Sequence, residues 1–302
     1  MLVRPPVVAI VGPTAAGKSD LAIELASRLR GEVVNADSMQ VYRGMDIGTA
    51  KPTPVERRGI RHHVLDVLDV AEAATVAEFQ SLARSAIDDC LGRGVLPVIV
   101  GGSALYVRAL LDRFEFPGTD PALRARLERD LAVVGARGLH ERLTNVDPSA
   151  AAAILPTNGR RIVRALEVVE LTGRPFSATL PNRTYLYDRV VQLGLDVPRD
   201  VLDRRIEERV DRMWRAGLVD EVRALEEAGL RDSRTARRAL GYVQVLAFLA
   251  GEYDEAEARA RTIQATRRFA RRQDSWFRKD PRISWLRFDA DDLVDQALDR
   301  LD

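Results

Sequence analysis

The chain has 302 residues, with 46 Lys and Arg against 45 Asp and Glu, and 46% of it is hydrophobic. That apolar content excludes an intrinsically disordered polymer, and one cysteine, Cys90, excludes a disulfide framework and any Cys-built zinc site. No apolar run approaches the ~20 residues that span a bilayer, and the N-terminus lacks the ordered regions of a signal peptide, so a cytoplasmic protein with no membrane contact is expected.

Val7-Val8-Ala9-Ile10-Val11 is a continuous, β-branched run that stops at Gly12, the pattern of a strand buried in a parallel sheet. Leu21, Ile23, Leu25, Ala26 and Leu29 then repeat with helical spacing up to Gly31. Residues 32–36 form a second strand that stops at Asp37, and residues 37–59 read as a loop. A third strand is expected within residues 62–70. Thr75 opens a helix that closes near Gly92 and Gly94. Val95 to Val100 is another buried strand, followed by Gly101-Gly102 and a helix from about Ser103. Alternating strands and helices imply a parallel sheet with right-handed crossovers.

The alternation breaks at Phe116-Pro117-Gly118. From Asp120 to about Thr172 the pattern is helical only, with Asp120-Pro121 and Asp147-Pro148 as helix starts. A strand returns at Val190 to Val197, helices follow to about Arg278, and Ile283 to Phe288 reads as a last strand. The expected architecture is an α/β, P-loop NTPase-like parallel sheet flanked by helices. It has an α-helical insertion over residues 117–187, with core parts at 1–116 and 188–302.

Gly12-Pro13-Thr14-Ala15-Ala16-Gly17-Lys18-Ser19 has the spacing of a phosphate-binding P-loop between a strand and a helix. Backbone amides of such a loop converge on one concavity, the helix N-terminus adds positive potential, Lys18 reaches phosphate oxygens and Ser19 can ligate Mg²⁺. The pattern fixes a polyphosphate ligand and leaves the chemistry open, a small-molecule kinase included. An NTPase carries an acid after a neighbouring strand to aim water at the γ-phosphate, whereas Val95 to Val100 runs into Gly101-Gly102-Ser103. The second strand does end in an acid, Asp37, at the edge where a doubly wound sheet binds ligands. Eight basic residues and one acid, Asp274, lie between Arg259 and Lys279. Within that run Arg267 with Arg271, and Arg268 with Arg272, stand one helical turn apart. His62 and His63 are adjacent, cannot chelate one metal as a strand pair, and are read as structural.

Several blocks together resemble the tRNA dimethylallyltransferase family, bacterial type. They are the P-loop, Asn35-Ala36-Asp37-Ser38-Met39-Gln40-Val41-Tyr42, Gly44-Met45-Asp46-Ile47-Gly48-Thr49-Ala50-Lys51-Pro52, Val100-Gly101-Gly102-Ser103-Ala104-Leu105-Tyr106, Arg164-Ala165-Leu166-Glu167, Arg238-Ala239-Leu240-Gly241-Tyr242, and Thr266-Arg267-Arg268-Phe269-Ala270-Arg271-Arg272-Gln273. The resemblance implies transfer of a dimethylallyl group from dimethylallyl diphosphate to N6 of the adenine beside the tRNA anticodon, with diphosphate leaving. It implies a donor site of Gly12, Pro13, Thr14, Ala15, Ala16, Gly17, Lys18, Ser19 and Arg238, with Mg²⁺ on Ser19. Catalysis would rest on Asp37, Lys18 and Arg238. The tRNA anticodon stem-loop would meet Asp37, Ser38, Met39, Gln40, Ser103, Arg124 and the stretch Arg160, Arg161, Ile162, Val163, Arg164. The basic run, with Arg267, Arg271 and Arg272, fits its phosphates, and a monomer is expected. Ser103 stands where the family more often has Thr, and Val243 where it more often has a basic residue.

Overall fold

The structure is a computed structural model that describes residues 5–113, 116–176 and 183–301. Six strands, β1 (Val7–Val11), β2 (Glu32–Asn35), β3 (His62–His63), β4 (Pro97–Gly101), β5 (Val190–Asp196) and β6 (Ile283–Arg287), form one parallel sheet in the order β3-β2-β4-β1-β5-β6. β1 is flanked on both sides, with Ala9 opposite Ile99 of β4 and Gln192 of β5. All five of its residues are buried, which is why the run is apolar without alternation. Val7, Ala9 and Val11 face one core, and Val8 and Ile10 face the other.

Helix α1 (Lys18–Leu29) covers the second face with Leu21, Leu25 and Ala26. The first face takes α2 (Val76–Gly92) through Phe79, Ala83 and Ile87, and α3 (Ala104–Leu111) through Val107 and Leu110. The Thr75 hydroxyl oxygen accepts the Glu78 N–H at 3.2 Å and so caps α2 where the sequence placed its start.

The third strand is shorter than expected. After His63 the chain turns away with Val64 at φ 61° and Asp66 at φ 56°. The Val67 N–H donates to Val41 O at 2.8 Å, and Lys51 Nζ donates to Asp66 Oδ1 at 2.5 Å. The segment is thus folded back onto the loop after β2 instead of extending the sheet edge. His63 Nε2 lies 2.6 Å from Glu32 Oε2, and both Glu32 oxygens accept from Arg93, at 2.9 and 2.7 Å. Arg93 foremost, with His63 and Cys90 adding to it against the cost of burial, holds the Glu32 carboxyl down at about 2. Burial, with Glu32 beside it, pushes the Cys90 thiol up to about 12.

By internal contacts the chain divides into Met1–Leu111 with Tyr185–Asp302, and Asp112–Thr184. In the second unit α4 (Pro121–Val146) is broken at Gly135 (φ 73°) and is followed by α5 (Pro148–Ala153) and α6 (Gly159–Thr172). Asp120 Oδ1 accepts the Ala122 and Leu123 amides, and Asp147 Oδ1 that of Ala150, so both Asp-Pro pairs are helix caps. The core of this unit gathers Leu127, Leu139, Leu143, Ile162, Val163 and Leu166.

After β5 come α7 (Arg199–Arg215), α8 (Leu218–Glu227), two 3-10 turns at Leu230–Asp232 and Ala236–Arg238, α9 (Tyr242–Leu249) and α10 (Glu255–Phe277). α11 (Leu293–Asp299) follows β6 and packs on α1. Among the described residues no helix is long and apolar enough to cross a membrane.

Glu167 is wholly buried in the helical unit, where Arg124 and Arg164 both donate to it. Burial by itself would raise its pKa, but the two guanidiniums outweigh that and hold it below the ordinary carboxylate value. Its contribution to stability is therefore full above the usual Glu range and is lost as pH falls through the depressed value. Glu167→Ala should cost about 2–3 kcal/mol in denaturant unfolding, at the low end for a buried pair because both arginines keep some water. The variant should also lose part of the acid-induced destabilisation seen in the wild type.

Candidate active site: a cationic loop facing a carboxylate

The loop between β1 and α1 is clamped from outside. Ala15 takes the left-handed conformation at φ 65° and packs against Leu202 and Ile206 of α7 and Ala270 of α10. The Thr14 N–H donates to Gln273 Oε1 at 2.9 Å, and Gln273 Nε2 donates to Gly102 O at 2.7 Å. One buried amide side chain on α10 therefore ties the loop after β1 to the turn after β4. A Cβ on Gly102 would stand 2.3 Å from Gln273 Nε2, so the second glycine of Gly101-Gly102 exists to admit that side chain.

Positive charge is concentrated here. Lys18 Nζ donates to Pro13 O at 2.7 Å, and Arg209 Nη1 donates to Thr14 Oγ1 at 3.0 Å. A Cβ on Gly17 would stand 3.7 Å from Arg205 Nη2. Arg205, Arg209 and Arg212 recur along α7 at spacings of four and three, one helical face. Burial brings the Lys18 ammonium down to about 7, repulsion from Arg209 adds to this, and Asp37 opposes it. Burial likewise lowers Arg209, with Arg212 and Arg205 contributing and Asp20 and Asp37 opposing. Several cations with too few anions, at the N-terminus of a helix, make a site that an oligophosphate completes.

Asp37 follows β2 and is held by its own backbone. Asn35 Oδ1 accepts the Asp37 N–H at 2.8 Å, and Asn35 Nδ2 donates to the carbonyls of Asp37 and Val64, each at 3.0 Å. The Met39 N–H donates to Asp37 Oδ1 at 2.8 Å. The second oxygen, Oδ2, takes no protein hydrogen bond among the described residues. Asp37 is the carboxylate that acts on both Lys18 and Arg209, so the ends of β1 and β2 share one electrostatic site.

The loop beyond it is built from the most distinctive motif residues, and they work structurally. Buried Lys51 donates to Tyr42 O at 2.8 Å, Asp46 Oδ1 at 2.6 Å and Asp66 Oδ1 at 2.5 Å. Glu221 on α8 accepts the amides of Asp46, Ile47 and Gly48 at 3.1, 2.7 and 3.1 Å, and the Tyr242 hydroxyl at 2.5 Å. Gly48 lies flat on the Tyr242 ring, where a Cβ would come within 2.4 Å. Gln40 Nε2 donates to Thr49 O and Ala50 O, at 3.1 and 3.3 Å. Beside Ser38 opens a small apolar cleft lined by Val41, Leu68, Phe79, Leu82 and Tyr106. Burial foremost, then the nearby Tyr42 and Asp37, push the Tyr106 hydroxyl up to about 12, and its hydrogen bond with Ser38 opposes them.

The structure thus brings Gly12 to Ser19 and Asp37 onto one site, with Ser38, Met39 and Gln40 in the turn that follows Asp37. Ser103 stands at the same sheet edge and its carbonyl accepts the Val107 N–H of α3 at 2.9 Å. The other expected site residues lie as follows. Arg238 is exposed at the end of a 3-10 turn, and the guanidinium bonded to the loop is Arg209. Ile162 and Val163 are 0% and 4% exposed, so their side chains form the core of the helical unit and are closed to RNA. Arg124 and Arg164 are committed to Glu167, while Arg160 and Arg161 are exposed. Arg267 is paired with Glu207 and Arg271 faces Asp203, which leaves Arg268 and Arg272 as the exposed arginines of that stripe without an acid among the described residues.

Sequence reading assigned no site role to Arg205, Arg209, Gln273 or Glu221. The shared face of Arg205, Arg209 and Arg212 was a signal, hidden in a helix that also carries Arg199, Arg204 and Arg215. Nothing local marks Gln273 or Glu221, because both act on segments far away in the chain.

Fold and loop define an α/β protein with positive charge gathered at the helix N-terminus that follows β1. A family model described as IPP transferase matches residues 40–280. The chain is 64% identical over 296 residues to a tRNA dimethylallyltransferase of Thermobifida fusca, covering 96% of this chain and 92% of that one. With the Streptomyces avermitilis tRNA dimethylallyltransferase it shares 66% over 291 residues, 96% and 93% of the two chains. The crystal structure of the full-length tRNA isopentenylpyrophosphate transferase from Bacillus halodurans is similar at TM-score 0.71 and 41% identity, over 98% of this chain and 97% of that one. A eukaryotic dimethylallyltransferase, described as acting on tRNA, gives TM-score 0.84 at 29% identity, over 97% and 77%. The chain belongs to the IPP transferase family and is an enzyme of the tRNA dimethylallyltransferase kind.

Two measurements test this site. Gln273→Ala removes two hydrogen bonds worth about 1 kcal/mol each, so diphosphate affinity should fall up to about thirtyfold by calorimetry while the fold persists. Lys18, near neutrality at about 7, should regain its charge beside a bound anion. At pH 8 diphosphate binding should therefore take up about one more proton in the wild type than in Lys18→Met, read from calorimetry in buffers of different ionisation enthalpy. Affinity should weaken as pH rises above that value.

Proposed function

We propose that this chain transfers the dimethylallyl group of dimethylallyl diphosphate to the exocyclic N6 of the adenine beside the anticodon of tRNA, releasing diphosphate. The observation that carries this reading is the pairing of an uncompensated cationic loop with one carboxylate, Asp37, in its electrostatic reach. No acid follows β4 to aim a water, which suits a reaction in which diphosphate leaves intact and nothing is hydrolysed.

In the reaction the bond between the allylic carbon and the diphosphate oxygen breaks, and a bond from adenine N6 to that carbon forms. Negative charge grows on the departing oxygen, and the cationic Lys18 and Arg209 beside the loop would neutralise it. Proximity to a polyanion also restores the Lys18 charge that burial suppresses. The amino group is a weak nucleophile, so Asp37 is held by Asn35 and by the Met39 amide to orient it. Its Oδ2 accepts the N6 proton as the new bond closes. A target adenine has to leave its stack to reach this edge of the sheet.

The donor set suits Mg²⁺. The Ser19 hydroxyl in the first turn of α1 is a hard oxygen with no protein hydrogen bond among the described residues, and the remaining ligands would be diphosphate oxygens and water. When bound, the ion would supply further neutralisation of the leaving group.

Incubation with labelled dimethylallyl diphosphate and unmodified tRNA should place label in RNA with no nucleotide consumed. Asp37→Ala should leave tRNA binding in place and lower kcat by about 10²–10³, the worth of a general base. Unaltered kcat in that variant would remove Asp37 from the chemistry, and ATP turnover without prenylation would point to a kinase.

A further inference from the structure

Helix α10 sorts its charges by face. Ala270, Gln273 and Phe277 are buried, and Gln273 reaches the donor loop. On one flank the arginines are neutralised: Arg267 by Glu207, Arg271 by Asp203 and Arg278 by Asp196. The other flank carries Phe269, Arg272 and Trp276 at spacings of three and four, with Lys279 just beyond the helix. Trp276 is 59% exposed. The Lys279 ammonium lies 5.8 Å from its ring centroid, and the Arg272 guanidinium 5.8 Å from that of Phe269. Neither Arg272 nor Lys279 has an acidic partner among the described residues.

An indole 59% exposed, with Lys279 over its ring and the unneutralised Arg272 one helical turn before it, offers an accessible aromatic surface flanked by anion-binding groups. An unpaired nucleotide matches that combination, with a base for the ring and phosphates for the cations. Trp276 follows Gln273 by three residues on the neighbouring face, less than one turn, or about 5 Å, along the helix from the side chain that touches the donor loop. Trp276 therefore sits at the same end of α10 as the side chain that reaches the loop. We infer that Trp276 is a stacking platform for an unpaired base flanking the modified adenine, with Arg272 and Lys279 on the adjoining phosphates. The inference rests on the tRNA substrate proposed above and adds a positioning residue to it.

The test uses the full chain and an unmodified anticodon stem-loop RNA. Trp276→Ala should raise the Kd for that RNA about tenfold, as loss of one base stack does, with Trp276→Phe regaining most of the affinity. The KM for dimethylallyl diphosphate should stay put, and so should kcat at saturating RNA, because the ring touches neither the donor loop nor Asp37. Arg272→Ala should flatten the salt dependence of RNA binding, whereas Trp276→Ala should leave its slope alone. Loop nucleotides replaced one at a time by abasic ones should reveal a single position at which the wild type loses about as much as Trp276→Ala and the variant loses nothing more. Equal RNA affinity in wild type and Trp276→Ala, additive losses at every abasic position, or a raised donor KM would each overturn the platform. If the wild type modifies RNA and only these signatures are missing, the platform alone falls. If the wild type modifies no RNA, the functional reading falls with it.

Discussion

The burial of two cations, Lys18 and Arg209, beside one loop is the constraint from which the rest of the site follows. Lys18 opens α1 and Arg209 reaches the loop from α7; Arg205 and Arg212 add repulsion on Arg209, which Asp20 and Asp37 oppose, as Asp37 does for Lys18. Such an arrangement is costly by itself and persists because the surroundings impose it. α7 and α10 close on Ala15, Thr14 is bonded by Arg209 and Gln273, and Lys18 is turned onto Pro13 O. In the proposed reaction a polyanionic donor would relieve that repulsion, the more so as charge builds on the leaving oxygen.

Placing a carboxylate beside such a cluster is a hazard as well as a need. If Asp37 could swing freely it would pair with Lys18 or Arg209 and quench the anion site. The Asn35 clasp and the Met39 amide hold it in its own turn. Lys51, Glu221 and Tyr242 then fix the following loop from behind, using a buried ammonium, three backbone amides and a ring packed on Gly48. Motif residues that look catalytic by their polarity thus act as scaffolding for the turn that carries Asp37.

The helical unit follows the same logic in reverse. Its arginines lie in a segment where nucleic-acid contact was expected, yet Arg124 and Arg164 satisfy the buried Glu167, and Ile162 with Val163 fills the core. The exposed Arg160 and Arg161 are what that stretch offers to a partner. In α10, acids on α7 and β5 claim one flank of the arginines and leave the other, with Trp276, facing solvent.

Local pattern by itself determined the parallel sheet, the loop of Gly12 to Ser19, the Asp-Pro helix caps and the acid at the end of β2. Each of these is written in neighbouring residues: a β-branched run, a glycine spacing, a capping side chain. Tertiary structure decided which charges remain unpaired. Arg209 and Arg238 are both arginines in Arg-rich stretches, and only the packing of α7 on the loop shows which one bonds Thr14. Gln273 and Glu221 were illegible because each serves a backbone segment far removed along the chain, 259 residues away for Gln273 and Thr14. Periodicity reports burial and local hydrogen bonding, whereas a charge's role depends on which opposite charge the fold brings to it.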